Sequence, residues 1–122
     1  MELQHKDITE AVIGSAFEVY NHLGYGFLES VYQRAMKVEL ESRALEAETE
    51  AEIRVRYKGV EVGFFRADVL VNRCVLVELK VAAEYCPADE AQLSSELKAT
   101  GSRVGLLVNF GRHKVGFKRF VF

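Results

Sequence analysis

Apolar and polar residues recur along the chain with two different periods, which separate predicted helices from predicted strands. Near the beginning, apolar residues recur every three to four positions, the spacing of one helix face. This pattern predicts a helix that begins at a capping box over residues 7–10 and ends at Gly24. A second helix is predicted over about 28–44. Residues 46–52 are mostly acidic and are predicted to form a solvated turn before the first strand.

The second half of the chain favours strands. Ile53, Val55 and Tyr57 alternate with basic residues, which is the period of a half-buried strand. The further elements predicted are a turn at 58–59, strands over 60–71, 74–80, 104–110 and 115–121, and a helix from Pro87 to Gly101. The order α-α-β-β-β-α-β-β predicts one domain, residues 1–122, of the α/β class, with a mixed β-sheet flanked by helices.

The composition is that of an ordinary globular protein, with 122 residues, 49% hydrophobic, 28% charged and a formal net charge of −2. This mild acidity excludes proteins that bind nucleic acid through bulk positive charge. The charge is uneven, however, because residues 1–52 balance to −7 whereas residues 97–122 contain six bases and no acid. The basic end is either a strip for phosphates or a solvated face that attracts the acidic one.

Two cysteines, Cys74 and Cys86, are too few for a disulfide framework and are predicted to be buried, reduced thiols. The first residues show no signal-peptide pattern. No apolar run approaches the roughly 18 residues that a membrane span needs. The sequence therefore predicts a cytoplasmic protein that does not associate with membranes.

Three charged residues interrupt otherwise apolar strands. Asp68 lies within one predicted strand, and Glu78 and Lys80 share a face of the next, because side chains alternate along a strand. An unpaired buried charge is costly, so something must compensate these groups. One interpretation is an internal ion pair with a structural role. The other is a hard divalent cation such as Mg²⁺, which prefers carboxylate oxygens.

The metal interpretation depends on the hairpin that joins these two strands. A two-residue loop, Asn72-Arg73, would set Asp68 opposite Val77. A three-residue loop over 72–74 would set Asp68 opposite Glu78 instead. We therefore predict a three-residue loop or a bulge.

The same residues resemble a known family. Asp68, nine intervening residues and the run 78–80 (Glu-Leu-Lys) match the pattern of the PD-(D/E)xK nuclease-like superfamily. Gly26, Glu29 and Tyr32 match the GxxExxY signature of a family within it. Nearly the whole chain resembles the family, through further motifs at 57–59, 65–68, 92–93, 97–101 and 105–111. The resemblance implies a restriction-endonuclease-like fold and a metal-dependent nuclease.

The resemblance also implies a metal site. Asp68 and Glu78 correspond to the carboxylates that bind the metal, Mg²⁺ or Mn²⁺, and the backbone carbonyl of Leu79 is a further candidate ligand. Glu29 corresponds to the helix-borne acid that completes the metal shell, directly or through water. Tyr32 lies one helical turn after Glu29, and we expect it to pack and to form a hydrogen bond rather than to catalyse.

The catalytic set that the resemblance implies is Asp68, Glu78, Lys80 and Gln92. Lys80 would position or activate the attacking water, or stabilise the charge of the phosphorane. Gln92, on the following helix, would line the site. The sequence departs from the family pattern four residues after this Gln, where a Tyr is common and this chain has Glu96.

The resemblance favours DNA as the substrate and leaves RNA open. Arg66, Lys98, Arg112 and Lys114 are predicted to contact the phosphate backbone, which would make the affinity depend on salt. Two other functions stay open: a nuclease-fold module that binds nucleic acid or a partner protein without cutting, and a structural subunit. The terminal run 120–122 (Phe-Val-Phe) suggests a homodimer contact as a hypothesis.

Overall fold

A mixed five-stranded sheet carries helices on both faces in the computed structural model, which describes residues 5–121. The helices are α1 (Lys6–Leu23), α2 (Glu29–Ser42) and α3 (Glu90–Thr100), the last preceded by a 3-10 turn (Pro87–Asp89). The strands are β1 (Ala47–Tyr57), β2 (Val60–Val71), β3 (Val75–Lys80), β4 (Val104–Phe110) and β5 (Val115–Val121). The order of helices and strands confirms the sequence prediction.

The strands lie in the order β1-β2-β3-β4-β5, and every neighbouring pair is antiparallel except β3 and β4. The parallel pair requires a crossover connection, and α3 supplies it. As a result, the first residues of α3 follow the end of β3 at the same edge of the sheet. This edge also carries Lys80 and its β4 neighbour Asn109.

The core occupies both faces of the sheet. On one face α1 and α2 cover the strands, with Met36 and Leu40 among the fully buried side chains. On the other face Leu93 and Leu97 of α3 pack in a second cluster. β4 is buried at every position, as its continuous apolar run predicts for a central strand.

The loop between β2 and β3 has three residues. Val71 pairs with Val75, and Val69 with Val77, so residues 72–74 form the turn. The predicted register is confirmed, and one further step along it sets Asp68 opposite Glu78.

Two boundary predictions near the acidic end of the chain are wrong. The cap of α1 is His5, without a side-chain hydrogen bond, so the capping box at 7–10 does not form. Asp7 lies in the first turn, where it still faces the positive end of the helix dipole. Residues 46–52 are not a turn, because β1 begins at Ala47 and its small buried residues Ala47 and Ala51 alternate with acids.

The cysteines are free, as predicted, but the prediction that both are buried is wrong. Cys74 is partly exposed and Cys86 is exposed, because each lies in a loop beyond a strand. None of the helices within residues 5–121 combines the length and apolar character needed to cross a membrane. Phe122, part of the hypothetical dimer contact, lies outside the described residues, so that contact stays a prediction.

Candidate active site

The candidate site lies where β2 and β3 stop pairing. Their ladder ends at Val69 and Val77, and the next residues are Asp68 and Glu78. The Oδ2 atom of Asp68 accepts a hydrogen bond from the Leu79 amide at 2.7 Å. The Asp68 amide in turn donates to Oε1 of Glu78 at 3.4 Å. The two carboxylates predicted from the sequence are therefore brought together, each held by the backbone of the other strand.

Glu29 reaches this pair from the first turn of α2. Partial burial and the charge of Asp68 raise the pKa of Glu29 to about 7, although the Lys80 ammonium opposes the shift. Asp68 and Lys80 are therefore both close enough to Glu29 to influence its pKa. Glu29, Asp68, Glu78 and Lys80 thus converge from three different elements.

The approach of Glu29 depends on how the chain enters α2. Gly26 has a φ of 115°, which a residue with a Cβ rarely adopts. Tyr32 is fully buried, donates its hydroxyl hydrogen to the Gly24 carbonyl at 2.5 Å, and stacks on Phe110 with ring centroids 4.4 Å apart. The predicted packing and hydrogen-bonding role of Tyr32 is confirmed, and its effect is to fix the turn in front of Glu29.

Glu78 faces α3 and meets a second buried carboxyl there. Its side chain is 2% exposed, and its pKa is raised to about 11 by burial, by contact with Glu96 and by the charge of Asp68. Gln92 donates to Oε2 of Glu78 at 3.4 Å and to Oε1 of Glu96 at 3.3 Å. Glu96, the residue that departs from the family pattern, is therefore part of the site itself. Within residues 5–121, Oε2 of Glu96 has no hydrogen-bond partner.

Gln33 also belongs to the site, and the sequence argument missed it. Its amide nitrogen donates to the Asp68 carbonyl at 2.8 Å and to Oε1 of Glu50 at 3.2 Å. Gln33 follows Glu29 by four residues, so the two share a helix face. Its spacing from Glu29 was the one signal in the sequence, because its burial is known only from the structure.

Asn109 is a second residue that the sequence argument missed. It is nearly buried, pairs with Lys80 across β3 and β4, and bonds both the amide (3.1 Å) and the carbonyl (3.0 Å) of Ala82. These bonds hold the segment that leaves the site after Lys80. The signal was a lone carboxamide in the apolar run 104–110.

The predicted phosphate-binding residues do not form one patch. Arg66 is exposed on β2, two residues from Asp68. Lys98 is exposed near the end of α3, before β4 begins, whereas Arg112 and Lys114 are exposed in the turn after β4. A strand of this length separates its two ends by roughly 20 Å. The basic end of the sequence is thus divided between opposite edges of the sheet.

The donor set fits a hard divalent cation. Within residues 5–121, no group of three or more His, Cys, Asp or Glu side chains is arranged to enclose a metal ion by itself. Mg²⁺, however, is commonly held by one or two carboxylates together with waters and substrate phosphates. The raised pKa values of Glu29 and Glu78 show an excess of carboxylate charge, which a cation would offset.

Comparisons with known proteins bear on the family and the fold of this chain. A family model described as the PD-(D/E)XK nuclease superfamily matches residues 6–120. No protein with a curated description matches the chain. The chain is similar to the crystal structure of SSO0001, with a TM-score of 0.56 and 17% sequence identity, over 94% of this chain and 57% of that one. This similarity concerns the fold alone, and the chain spans little more than half the length of that protein.

Proposed function

Because this chain belongs to the PD-(D/E)XK nuclease superfamily, we propose that it is a metal-dependent nuclease that hydrolyses phosphodiester bonds in DNA. The proposal rests chiefly on one observation, the contact of Asp68 with Glu78 at the point where β2 and β3 separate. Lys80 follows on the same strand face, and Glu29 comes from α2. A carboxylate pair can hold a metal ion for phosphodiester hydrolysis, and a neighbouring amine adds a positive charge for the phosphate.

In this proposal Asp68 and Glu78 hold Mg²⁺ or Mn²⁺, assisted by Glu29 and the Leu79 carbonyl. When bound, such an ion neutralises phosphate charge and makes a water molecule more acidic. Asp68 is held for this task by the Leu79 amide, and Glu78 by Gln92. The carboxylates are therefore oriented before substrate arrives, which reduces the reorganisation needed during reaction.

Lys80 supplies the site with a positive charge that comes from the protein itself rather than from a metal ion. It has no ion pair among residues 5–121, so its ammonium group is not neutralised by a carboxylate. We propose that Lys80 positions the attacking water or stabilises the negative charge that develops on the phosphorane. The missing ion pair also weighs against the structural interpretation, in which Lys80 would be paired with Asp68 and Glu78.

We further assign the chain to the GxxExxY family within the superfamily. The three signature residues have linked roles: Gly26 forms the turn, Tyr32 anchors it, and Glu29 enters the site.

A second candidate function is binding without cleavage. It is favoured by the raised pKa of Glu78, which keeps a proton where a metal would bind. Such a module would bind nucleic acid or a partner protein through the same edge of the sheet.

Cleavage assays distinguish the nuclease from the module that binds without cutting. The substrates are linear duplex, single-stranded and branched DNA, each with Mg²⁺, Mn²⁺ or chelator. We expect metal-dependent cleavage by the natural chain, no cleavage by Lys80→Ala with an unchanged circular dichroism spectrum, and full activity of the exposed control Lys6→Ala. If no DNA is cut, the enzyme proposal fails. Titration calorimetry with Mn²⁺ on the natural chain and on Glu78→Gln then tests whether a metal binds at all.

A further inference from the structure

The hairpin of β1 and β2 extends well beyond the rest of the sheet. These strands pair as far as Tyr57 and Val60, whereas β2 leaves β3 at Val69. The outer part, residues 52–66, is called the ribbon below. From Asp68 to the tip it extends about 25 Å, at about 3.3 Å per residue. A register shift between Val55 and Arg56 adds twist near the tip.

The ribbon exposes large apolar side chains. Tyr57 and Val60 are each 63% exposed, Val62 is 61% exposed and Phe64 is 41% exposed. Tyr57 and Val60 pair and share one face of the ribbon, whereas the register shift leaves Phe64, which pairs with Arg54, on the opposite face. Tyr57 and Val60 form an exposed apolar cluster at the tip, and such a cluster on a small domain usually marks a contact surface.

Basic side chains surround this apolar surface. The guanidinium groups of Arg54 and Arg66 lie 5.3 and 5.5 Å from the centre of the Phe64 ring, and the Lys58 ammonium lies 5.4 Å from that of Tyr57. Only Arg54 is neutralised, by Glu52 and Glu61. Within residues 5–121, Arg56, Lys58 and Arg66 have no ion pair, so they are available to an anionic partner.

The charge pattern argues against a second copy of the chain as the occupant. Two ribbons packed together would bring Arg56, Lys58 and Arg66 of both copies close to one another, and like charges in contact are unfavourable. A polyanion with flat apolar groups is complementary to both features. Nucleic acid has this chemistry. Its phosphates can contact the basic side chains, and its sugars or the edges of its nucleobases can contact the aromatic rings.

The shape of the ribbon selects the form of the nucleic acid. The B-form major groove is about 12 Å wide and admits a two-stranded ribbon, whereas the A-form major groove is too deep and narrow. The ribbon is also continuous with the candidate site, since Arg66 is two residues from Asp68.

We propose that the ribbon, residues 52–66, enters the major groove of duplex DNA and holds the duplex beside Asp68 and Glu78. Arg56, Lys58 and Arg66 contact phosphates, and Phe64, which shares a face with Arg56 and Arg66, contacts the groove interior. This inference extends the proposed nuclease function by naming duplex DNA and the surface that binds it.

The test is the affinity of the full chain for a fluorescent 20-base-pair duplex, measured by anisotropy in chelator so that no cleavage is needed. The ribbon variant is Arg56→Gln with Lys58→Asn, where Asn suits the positive φ of 49° at this turn position. The control is Lys6→Gln with Arg73→Gln, which removes the same charge from exposed residues outside the ribbon, at the start of α1 and in the turn after β2.

We expect the ribbon variant to bind at least tenfold more weakly, with a salt-dependence slope reduced by about 1.8 for two lost phosphate contacts. The control should change affinity by less than twofold. The proposal would be overturned if both variants lost the same DNA affinity or if the ribbon variant lost none. It would also be overturned if the natural chain bound duplex RNA more tightly than duplex DNA. A dimer by light scattering that dissociates in Val60→Ser with Val62→Ser while DNA affinity is unchanged would overturn it as well.

Cleavage is measured separately, so the two proposals fail in different ways. If the ribbon variant binds DNA weakly but the natural chain cuts no DNA, the nuclease proposal is refuted and the ribbon proposal is retained. If the natural chain cuts DNA but the ribbon variant has the same KM and the same DNA affinity, the ribbon proposal is refuted and the nuclease proposal is retained.

Discussion

The carboxyl groups of Glu78 and Glu96 form a buried pair between β3 and α3. Both side chains are almost completely inaccessible, and their contact contributes to the raised pKa of Glu78. Two ionised carboxylates in such contact repel each other, so the pair holds a proton when no cation is present. Glu96 therefore influences both the stability of the domain and the readiness of Glu78 to bind metal.

The first prediction concerns Glu96→Gln. In the unfolded chain Glu78 loses its proton near its ordinary pKa of 4.5, whereas the folded domain retains it to much higher pH. Stability is therefore fully present below about pH 4.5 and falls as the pH rises above it. A Gln amide at position 96 can donate a hydrogen bond to the Glu78 carboxylate. The variant should therefore lose less stability than the natural chain as the pH rises. Urea unfolding should show similar stability at pH 4 and a gain of about 1–2 kcal/mol at pH 8.

The control for this prediction is Glu48→Gln, which replaces an exposed acid on β1 and should follow the natural pH curve. Parallel curves for Glu96→Gln and the natural chain would show that the buried pair does not set the pH dependence.

The second prediction concerns metal affinity. Glu29 has a pKa of about 7, so below that pH a metal must displace its proton, and the affinity should rise with pH. Glu78, with a pKa of about 11, must release a proton at any pH from 6 to 8, whereas Glu29 must release one only below its own pKa. We therefore expect the Mn²⁺ affinity, measured by calorimetry, to rise more steeply with pH below pH 7 than above it, and Glu29→Gln to lose this extra steepness. The same pH dependence in Glu29→Gln and in the natural chain would remove Glu29 from the metal shell.

The third prediction concerns Asn109→Ala. The substitution leaves the amide and carbonyl of Ala82 without their partner, so we expect a loss of about 1–3 kcal/mol in the free energy of unfolding. Amide exchange at Ala82 and Ala83 should accelerate more than the global change explains, because this segment is held chiefly by Asn109. Asn21→Ala, an exposed substitution in α1, is the matched control. Unchanged exchange at Ala82 would contradict the assigned role.

The fourth prediction concerns Tyr32→Phe. The ring and its stacking on Phe110 remain, but the hydrogen bond to Gly24 is lost, which should cost about 1 kcal/mol. Since this bond fixes the turn before Glu29, Mn²⁺ affinity should also fall. Tyr25→Phe, at an exposed position of the same turn, should change neither property. A stability loss without any change in metal affinity would limit Tyr32 to a packing role.

Part of the site was available from local patterns. The three-residue loop followed from the requirement that Asp68 and Glu78 share a face, and the ladder of β2 and β3 has that register. The first turn of α2 carries Glu29, as its signature predicts. Gln33 and Asn109 were missed because a single polar residue on a helix or strand has no distinctive period. Their importance comes from partners 35 and 27 residues away in the sequence.

The sequence by itself determined the order of the helices and strands and the bounds of β2, β4 and β5, because periodicity and turn chemistry act over a few residues. The pairing of Asp68 with Glu78 was predicted instead from the requirement that the two carboxylates share a face. Tertiary structure decided three other features. It paired Glu96 with Glu78, divided the basic residues between the two ends of β4, and left the ribbon without a third strand. Each of these depends on where separate elements meet, and distance between elements is set by packing rather than by position along the chain.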